Sequence, residues 1–421
     1  MSIMKTLMGA SLLAITAVGA SAEDVAITGG TAFTMGGKGK VENATVLIHD
    51  GKVQSVTSGG EVPAGYRTVD ASGKWVTTGF MASGTNLGLM EVGLSGGIND
   101  ARASDAKNSI GLEVSYAFNP ATTFIPNTRI EGVTRAVTGF SASKDMWRGQ
   151  SAVIALAGDN MIVKEHAVLS IDMDEGSAEK NGDSRAALWD MVITKLEESR
   201  PGADDDNKDD AKKDKKPKYD SAKAALDRLF AGEMPLLVEV ERKADILNVI
   251  KLKERFGIDV VLTSAAEAWM VADELAAAGI PVVMNPTRNL PEDFDSLGTT
   301  GAAAARLHAA GVKVAFLPPD TNNTRLVVQN AGNAVAMGMP WEAAVDAMTV
   351  NPAEIFGIAD SYGTLEAGKD ADVVVWNGDP LELMTSPDAV FIRGEEVPLV
   401  SRQTKLRDRY IDLPRSPAYV K

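Results

Sequence analysis

The sequence predicts an α/β protein, with a parallel sheet or barrel in the middle of the chain and a small β domain built from its two ends. Three observations predict it. Four successive strand–helix units, each closed by a glycine, run from Leu236 to Gly338. Short β runs joined by tight turns are confined to the two termini. The composition, 45% hydrophobic and 24% charged, excludes a fibre, a wholly disordered chain and a multi-span membrane protein. With 421 residues there is room for one barrel of roughly 250 residues and a smaller domain.

Residues 1–22 read as an export signal. Lys5 supplies the positive start, Thr6 to Gly19 an uncharged and largely apolar stretch, and Ala20-Ser21-Ala22 a small-x-small cleavage site. That stretch is too short to span a bilayer, and charge resumes at Glu23-Asp24. No later segment reaches membrane-spanning length without charge. The absence of cysteine excludes disulfides and thiolate chemistry. Exported eukaryotic domains usually carry cysteines, so the sequence points to a bacterial periplasm.

From Val25 to Val69 the chain alternates short β runs with turns. Thr45–His49 and Lys52–Val56 flank Asp50-Gly51, a hairpin signal because a type I′ turn needs positive φ at both central residues. Ala371–Trp376, Asn377-Gly378 and Val390–Arg393 repeat the pattern near the C-terminus, and the two pieces are expected to pair. In the middle, strands Leu236–Val240, Ile258–Leu262, Ile280–Met284 and Val312–Phe316 alternate with helices Ala244–Phe256, Ala265–Ala278, Gly301–Ala310 and Leu326–Met337. Apolar runs without alternation fit strands covered on both faces. Asp204–Lys218 interrupts the pattern with six Asp and six Lys in fifteen residues, too little apolar surface to offset the entropy of ordering, so it reads as a solvated insertion. The net charge of −15 argues against nucleic acid, whose partners need a basic face.

Several strings resemble the amidohydrolase superfamily, in particular its imidazolonepropionase-like members. Val46–Val53 resembles that family's opening hairpin, and Val69–Met81 its lead into the first barrel strand. Thr349-Val350-Asn351-Pro352-Ala353-Glu354 and Gly363–Asp372 are similar to its closing helix and hairpin. The resemblance implies a (β/α)8 TIM-type barrel plus a small β-sandwich formed by both ends. The implied layout is a signal peptide over 1–22, sandwich over 23–78, barrel over 79–355 with a charged insertion at 200–220, and sandwich again over 356–421.

The resemblance also implies a chemistry, metal-assisted hydrolysis of cyclic amides and related C–N bonds. One or two divalent ions lower the pKa of a bound water from 15.7 to around 7. The family supplies a His-x-His pair, often a carboxylated lysine, two further histidines and an aspartate. The full set needs four histidines, and the chain has three. Matched position by position, Gly84 and Asn86 stand where His-x-His would be, Ala155 in the lysine's place, Glu239 at a histidine's, and Ser264 ends the next strand without one. Asp320 alone matches its counterpart, the metal-binding and proton-shuttling aspartate. His49 falls in the first hairpin and His308 inside a helix; His166 is the one histidine placed to face a cavity.

These matches point to an exported, catalytically degenerate amidohydrolase-like protein that binds a small molecule or a partner, with no cofactor expected. Glu239 and Asp320 are its candidate catalytic positions, and Arg242, Arg325 or a lysine their candidate ion-pair partners. The alternative is an active hydrolase in which Glu239, Asp320, Glu267, Glu91 or Asp100 holds a divalent ion such as zinc or magnesium, or two carboxylates run metal-free acid–base chemistry. A homo-oligomer is compatible with either; the ligand is left unnamed.

Overall fold

The computed structural model describes residues 23–91, 99–202 and 219–411; the expected export signal and nearly all of the charged insertion lie outside the described residues. The N-terminal part contributes β1 (Val25–Phe33), β2 (Lys40–His49), β3 (Lys52–Ser58), β4 (Arg67–Asp70) and β5 (Trp75–Thr78). At the β2–β3 turn Asp50 has φ 48° and Gly51 φ 73°, as the Asp-Gly pair requires. The barrel follows with β6 (Phe80–Thr85), β8 (Val133–Thr138), β10 (Trp147–Ala155), β11 (Ile162–Asp172), β12 (Leu236–Val240), β13 (Val260–Ser264), β14 (Val282–Met284) and β15 (Val314–Phe316). The short strands β7 (Arg102–Ala103) and β9 (Ala142–Ser143) pair with each other outside it. The C-terminal part adds β16 (Val373–Trp376), β17 (Pro387–Ile392) and β18 (Glu395–Glu396).

Local sequence explains the second half of the barrel. Each strand is a short apolar run, and each helix after it ends where glycine admits a left-handed residue: Gly257 at φ 64° and Gly279 at φ 61° cap their helices directly. The barrel sheet runs β15-β14-β13-β12-β11-β10-β8-β6. β15 and β6 meet across residues 347–348, which lie between them: Phe316 N donates to Ala347 O at 3.1 Å and Met81 N to Met348 O at 2.7 Å. The interior is filled by Met81, Val137, Val153, Val168, Val261 and Val283, with Tyr362 closing the floor through a 2.6 Å hydrogen bond to Gly79 O.

One strand departs from an all-parallel barrel. β10 runs antiparallel to both β8 and β11. Its connections, residues 139–146 and 156–161, are shorter than the dozen or so residues a parallel crossover needs, so the chain turns back at each end instead.

The terminal strands pair as one sheet, β18-β17-β16-β5-β1-β2-β3 with β4 also on β1, the separate β domain expected from the two ends of the chain. Hydrogen bonds Val53 N–Lys369 O and Ala371 N–Gly51 O, both 2.9 Å, join the β3 side to the segment leading into β16. The sheet closes over a core of Val25, Ile27, Val46, Val56, Val373 and Phe391. No helix among the described residues is long and apolar enough to cross a membrane.

Candidate functional site at the barrel mouth

In a barrel of this kind the C-terminal ends of the parallel strands carry the site. Along β12, Leu236, Val238 and Val240 pack outward under helices, so the intervening Leu237 and Glu239 face the interior. Glu239 lies opposite Asp172 of β11 on one side and Thr263 of β13 on the other. Because β10 is reversed, its first residues arrive at this same end. They bring Arg148 between the two carboxylates, where one guanidinium nitrogen, Nη2, contacts both Asp172 and Glu239.

The three charges set one another's protonation. Burial pushes the Asp172 carboxyl up to about 8; Arg148 opposes this rise and Glu239 adds to it. Burial would raise Glu239 as well, but Arg148, together with hydrogen bonds from Asp172 and Ser264, outweighs it and holds that carboxyl below its ordinary value. The opposed shifts favour the proton on Asp172 and the negative charge on Glu239, beside a permanent cation. Ser264 completes it, its Oγ donating to Glu239 Oε1 at 3.3 Å. Ser264 and Ala265 both adopt left-handed backbone, at φ 67° and 51°. This strain is held by Ala265 N to Val240 O and Ala266 N to the Glu241 carboxylate, each 2.8 Å.

The positions singled out by sequence have other work in the structure. A Cβ on Gly84 would lie 2.6 Å from Leu317 Cδ2, so Leu317 fills the space a histidine there would need. Asn86 fastens the rim: its Nδ2 donates to Gly139 O at 2.6 Å and its backbone N to Thr321 Oγ1 at 3.0 Å. Asp320 is exposed and caps the helical turn Thr321–Leu326, accepting from Asn323 N and Nδ2 at 3.0 Å. It lines the mouth, as does Glu239, but the structure does not pair the two.

Two placements are corrected. Ala155 is not at the mouth: it lies opposite Arg135 near the start of β8, at the barrel floor, because its strand is reversed. His166 does not face the mouth either; it sits at an irregularity in β11, three residues before that strand meets β12. His49 bonds Asp24 in the terminal sheet, and His308 lies in the helix Ala303–Ala309. Arg242, a candidate partner of Glu239, pairs instead with Asp245.

Arg148 and Asp172 escaped the sequence reading. The signal that reveals them is the brevity of 156–161, which forces a hairpin and so brings Trp147-Arg148 to the level of Asp172.

The donor set does not fit the metal that the fold family implies. Among the described residues no three histidines or carboxylates come together in a way that could hold an ion. Glu91 is engaged by Asn119 Nδ2 and Glu267 by the backbone of Lys243, away from Glu239. Where a cation would sit, the carboxylates already hold a guanidinium.

Two adjoining cavities open here. An inner one of about 340 Å³ is lined by Ser83, Asn86, Arg148, Ser151, Glu239 and Asp320, among others. An outer one of about 570 Å³ shares Glu239, Ser264, Leu317, Pro318 and Pro319 with it. Together they suit a ligand of amino-acid to dipeptide size.

Comparison with known proteins agrees with this architecture. The sequence profile of the amidohydrolase family matches residues 222–397. Amidohydrolase tasK of Hapsidospora irregularis is 39% identical over 72 residues, 17% of this chain and 7% of that protein. A 5-methylthioadenosine/S-adenosylhomocysteine deaminase of Desulforudis audaxviator is 34% identical over 113 residues, 24% of this chain and 25% of that one. This chain thus matches a quarter or less of the length of either curated relative. The crystal structure of an amidohydrolase from Thermotoga maritima superposes with a TM-score of 0.79 at 25% identity, covering 90% of this chain and all of that one.

Proposed function

The chain belongs to the amidohydrolase superfamily, and we propose that it is a member whose barrel mouth binds a small polar molecule without hydrolysing it. The observation that carries this reading is Arg148, held between Asp172 and Glu239 at the strand ends. A guanidinium supplies positive charge and hydrogen bonds, but it has no coordination position at which water becomes a nucleophile. Leu317 against Gly84 closes the neighbouring position with hydrocarbon. The pattern of Lys5, Thr6–Gly19 and Ala20-Ser21-Ala22 supports action in the periplasm.

Metal analysis of the purified chain after dialysis, with assays on lactams and hydantoins, tests the reading. The expected outcome is no stoichiometric zinc and no turnover. Retained metal, with turnover that a chelator abolishes, would overturn it.

A second reading is favoured by one observation, the opposed shifts of Asp172 and Glu239. Paired carboxyls driven apart in this way are the arrangement of an acid and a base. Metal-free turnover that falls above about pH 8 in the native chain, and loses that limb in Asp172→Asn, would select this reading over the first.

A further inference from the structure

We propose that the ligand of the barrel mouth is a small organic cation, an ammonium or guanidinium on an aliphatic chain joined to a neutral amide-type head. This rests on the reading of the mouth as a binding site and assigns the class of molecule it takes. The outer cavity is lined by eight carboxylates and one cationic residue, Arg288. Arginines answer four of these carboxylates: Arg148 at Glu239, Arg288 at Glu241 and, at 3.6 Å, at Glu292, and Arg185 at Asp295. Asp174 and Asp293 form no direct ion pair but feel Arg148 and Arg288 through space, which leaves Glu175 and Glu179 without a lysine or arginine partner among the described residues. A cleft with walls of one sign concentrates its field inward and draws the opposite charge.

The inner cavity is different in kind. Its cation is already balanced by Glu239, and hydroxyls of Ser83, Ser151, Ser170 and Thr263 surround the space. Ser83 is 1% exposed, and its Oγ has no hydrogen-bond partner in the structure. It lies on the same face of β6 as Met81, whose side chain packs in the barrel interior, so the hydroxyl points into the cavity. A buried hydroxyl without a partner is unfavourable, and the neutral polar group of a ligand satisfies it. Between the chambers the shared wall is Leu317, Pro318 and Pro319, which suits a hydrocarbon stem. At the outer lip, Leu290, Phe294 and Leu297 are exposed on the segment that also carries Glu292 and Asp293. The succession of hydroxyls, hydrocarbon and carboxylates matches head, stem and charge.

Calorimetric titration of the full chain tests the assignment with two probes, Nα-acetyl-lysine amide and its Nε-acetylated form, in which the cationic chain end is replaced by a neutral amide. The cationic probe is expected to bind about tenfold tighter at low ionic strength, with the preference shrinking in high salt. Glu175→Gln combined with Glu179→Gln should erase the preference while leaving affinity for the neutral probe unchanged. Ser83→Ala should weaken both probes by a similar factor. Equal affinities for the two probes, binding of neither at millimolar concentration, or a preference that survives the double substitution would overturn the proposal. Turnover of either probe would instead overturn the non-hydrolytic reading and leave the charge preference standing.

Discussion

Arg135 donates from Nε to Asp372 Oδ2 at 2.8 Å, and neither side chain is exposed to solvent. Arg135 stands on β8 at the floor of the barrel, and Asp372 immediately precedes β16, so this contact joins the two sheets. Asp370 also accepts from Arg135 at 2.6 Å, and the guanidinium lies 4.8 Å from the centre of the Tyr362 ring. Removing one partner of such a pair strands the other without solvent, at about 3–5 kcal/mol. Arg135→Met is therefore expected to lose about that much stability in urea unfolding. Asp372→Asn in the same chain should restore part of it. A loss near zero would mean that apolar packing alone holds the sheets together.

Stability should also depend on pH in a way traceable to Asp172. Burial raises this carboxyl to about 8, against about 3.9 in an unfolded chain. The folded state keeps a proton that the unfolded state releases, so stability declines as pH rises from about 4 to about 8 and then levels off. Glu239, held low by Arg148, contributes with the opposite sign: its share is present above about 4.3 and is lost as pH falls below that value. Asp172→Asn should flatten this decline between about pH 4 and about 8, an effect on the order of a few kcal/mol by urea unfolding across that range. An unchanged slope would count against the buried proton.

Gly84 and Leu317 offer a third test. A methyl group at position 84 would press on Leu317 Cδ2 at 2.6 Å. Gly84→Ala should cost about 1–3 kcal/mol, the usual range for overpacking. Leu317→Ala in the same chain should recover much of that loss, which a double-mutant cycle reads as coupling between the two positions. Additive effects would show that Leu317 turns aside freely and that the space is open.

What the sequence reveals follows the range of the interactions involved. The strand Leu236–Val240 is read to the residue, and the helix after it to within one, because an apolar run, an amphipathic turn and a glycine stop are all local signals. Glu239 is legible as a buried carboxylate at a strand end for the same reason. Its true partner is not, since Arg148 lies 91 residues away, and nearer arginines look equally suitable. The reversed strand was hidden because position-by-position matching assumes a common direction, and this misplaced Ala155. Asp320 kept the family's residue yet serves as a helix cap, so identity at a position does not carry its role with it.

The reversal of β10 has a further consequence for how this pocket can change over time. On a parallel strand the mouth residue is the last one laid down, fixed by all the pairing that precedes it. Here it is the second residue after a turn, and successive residues point to opposite faces. Gain or loss of a single amino acid among 139–146, in a way that slides the pairing, would swing Arg148 out of the chamber and present Trp147 or Gly149 instead. The chemistry of the chamber is thus tied to the length of a hairpin, which single side-chain replacements leave unchanged.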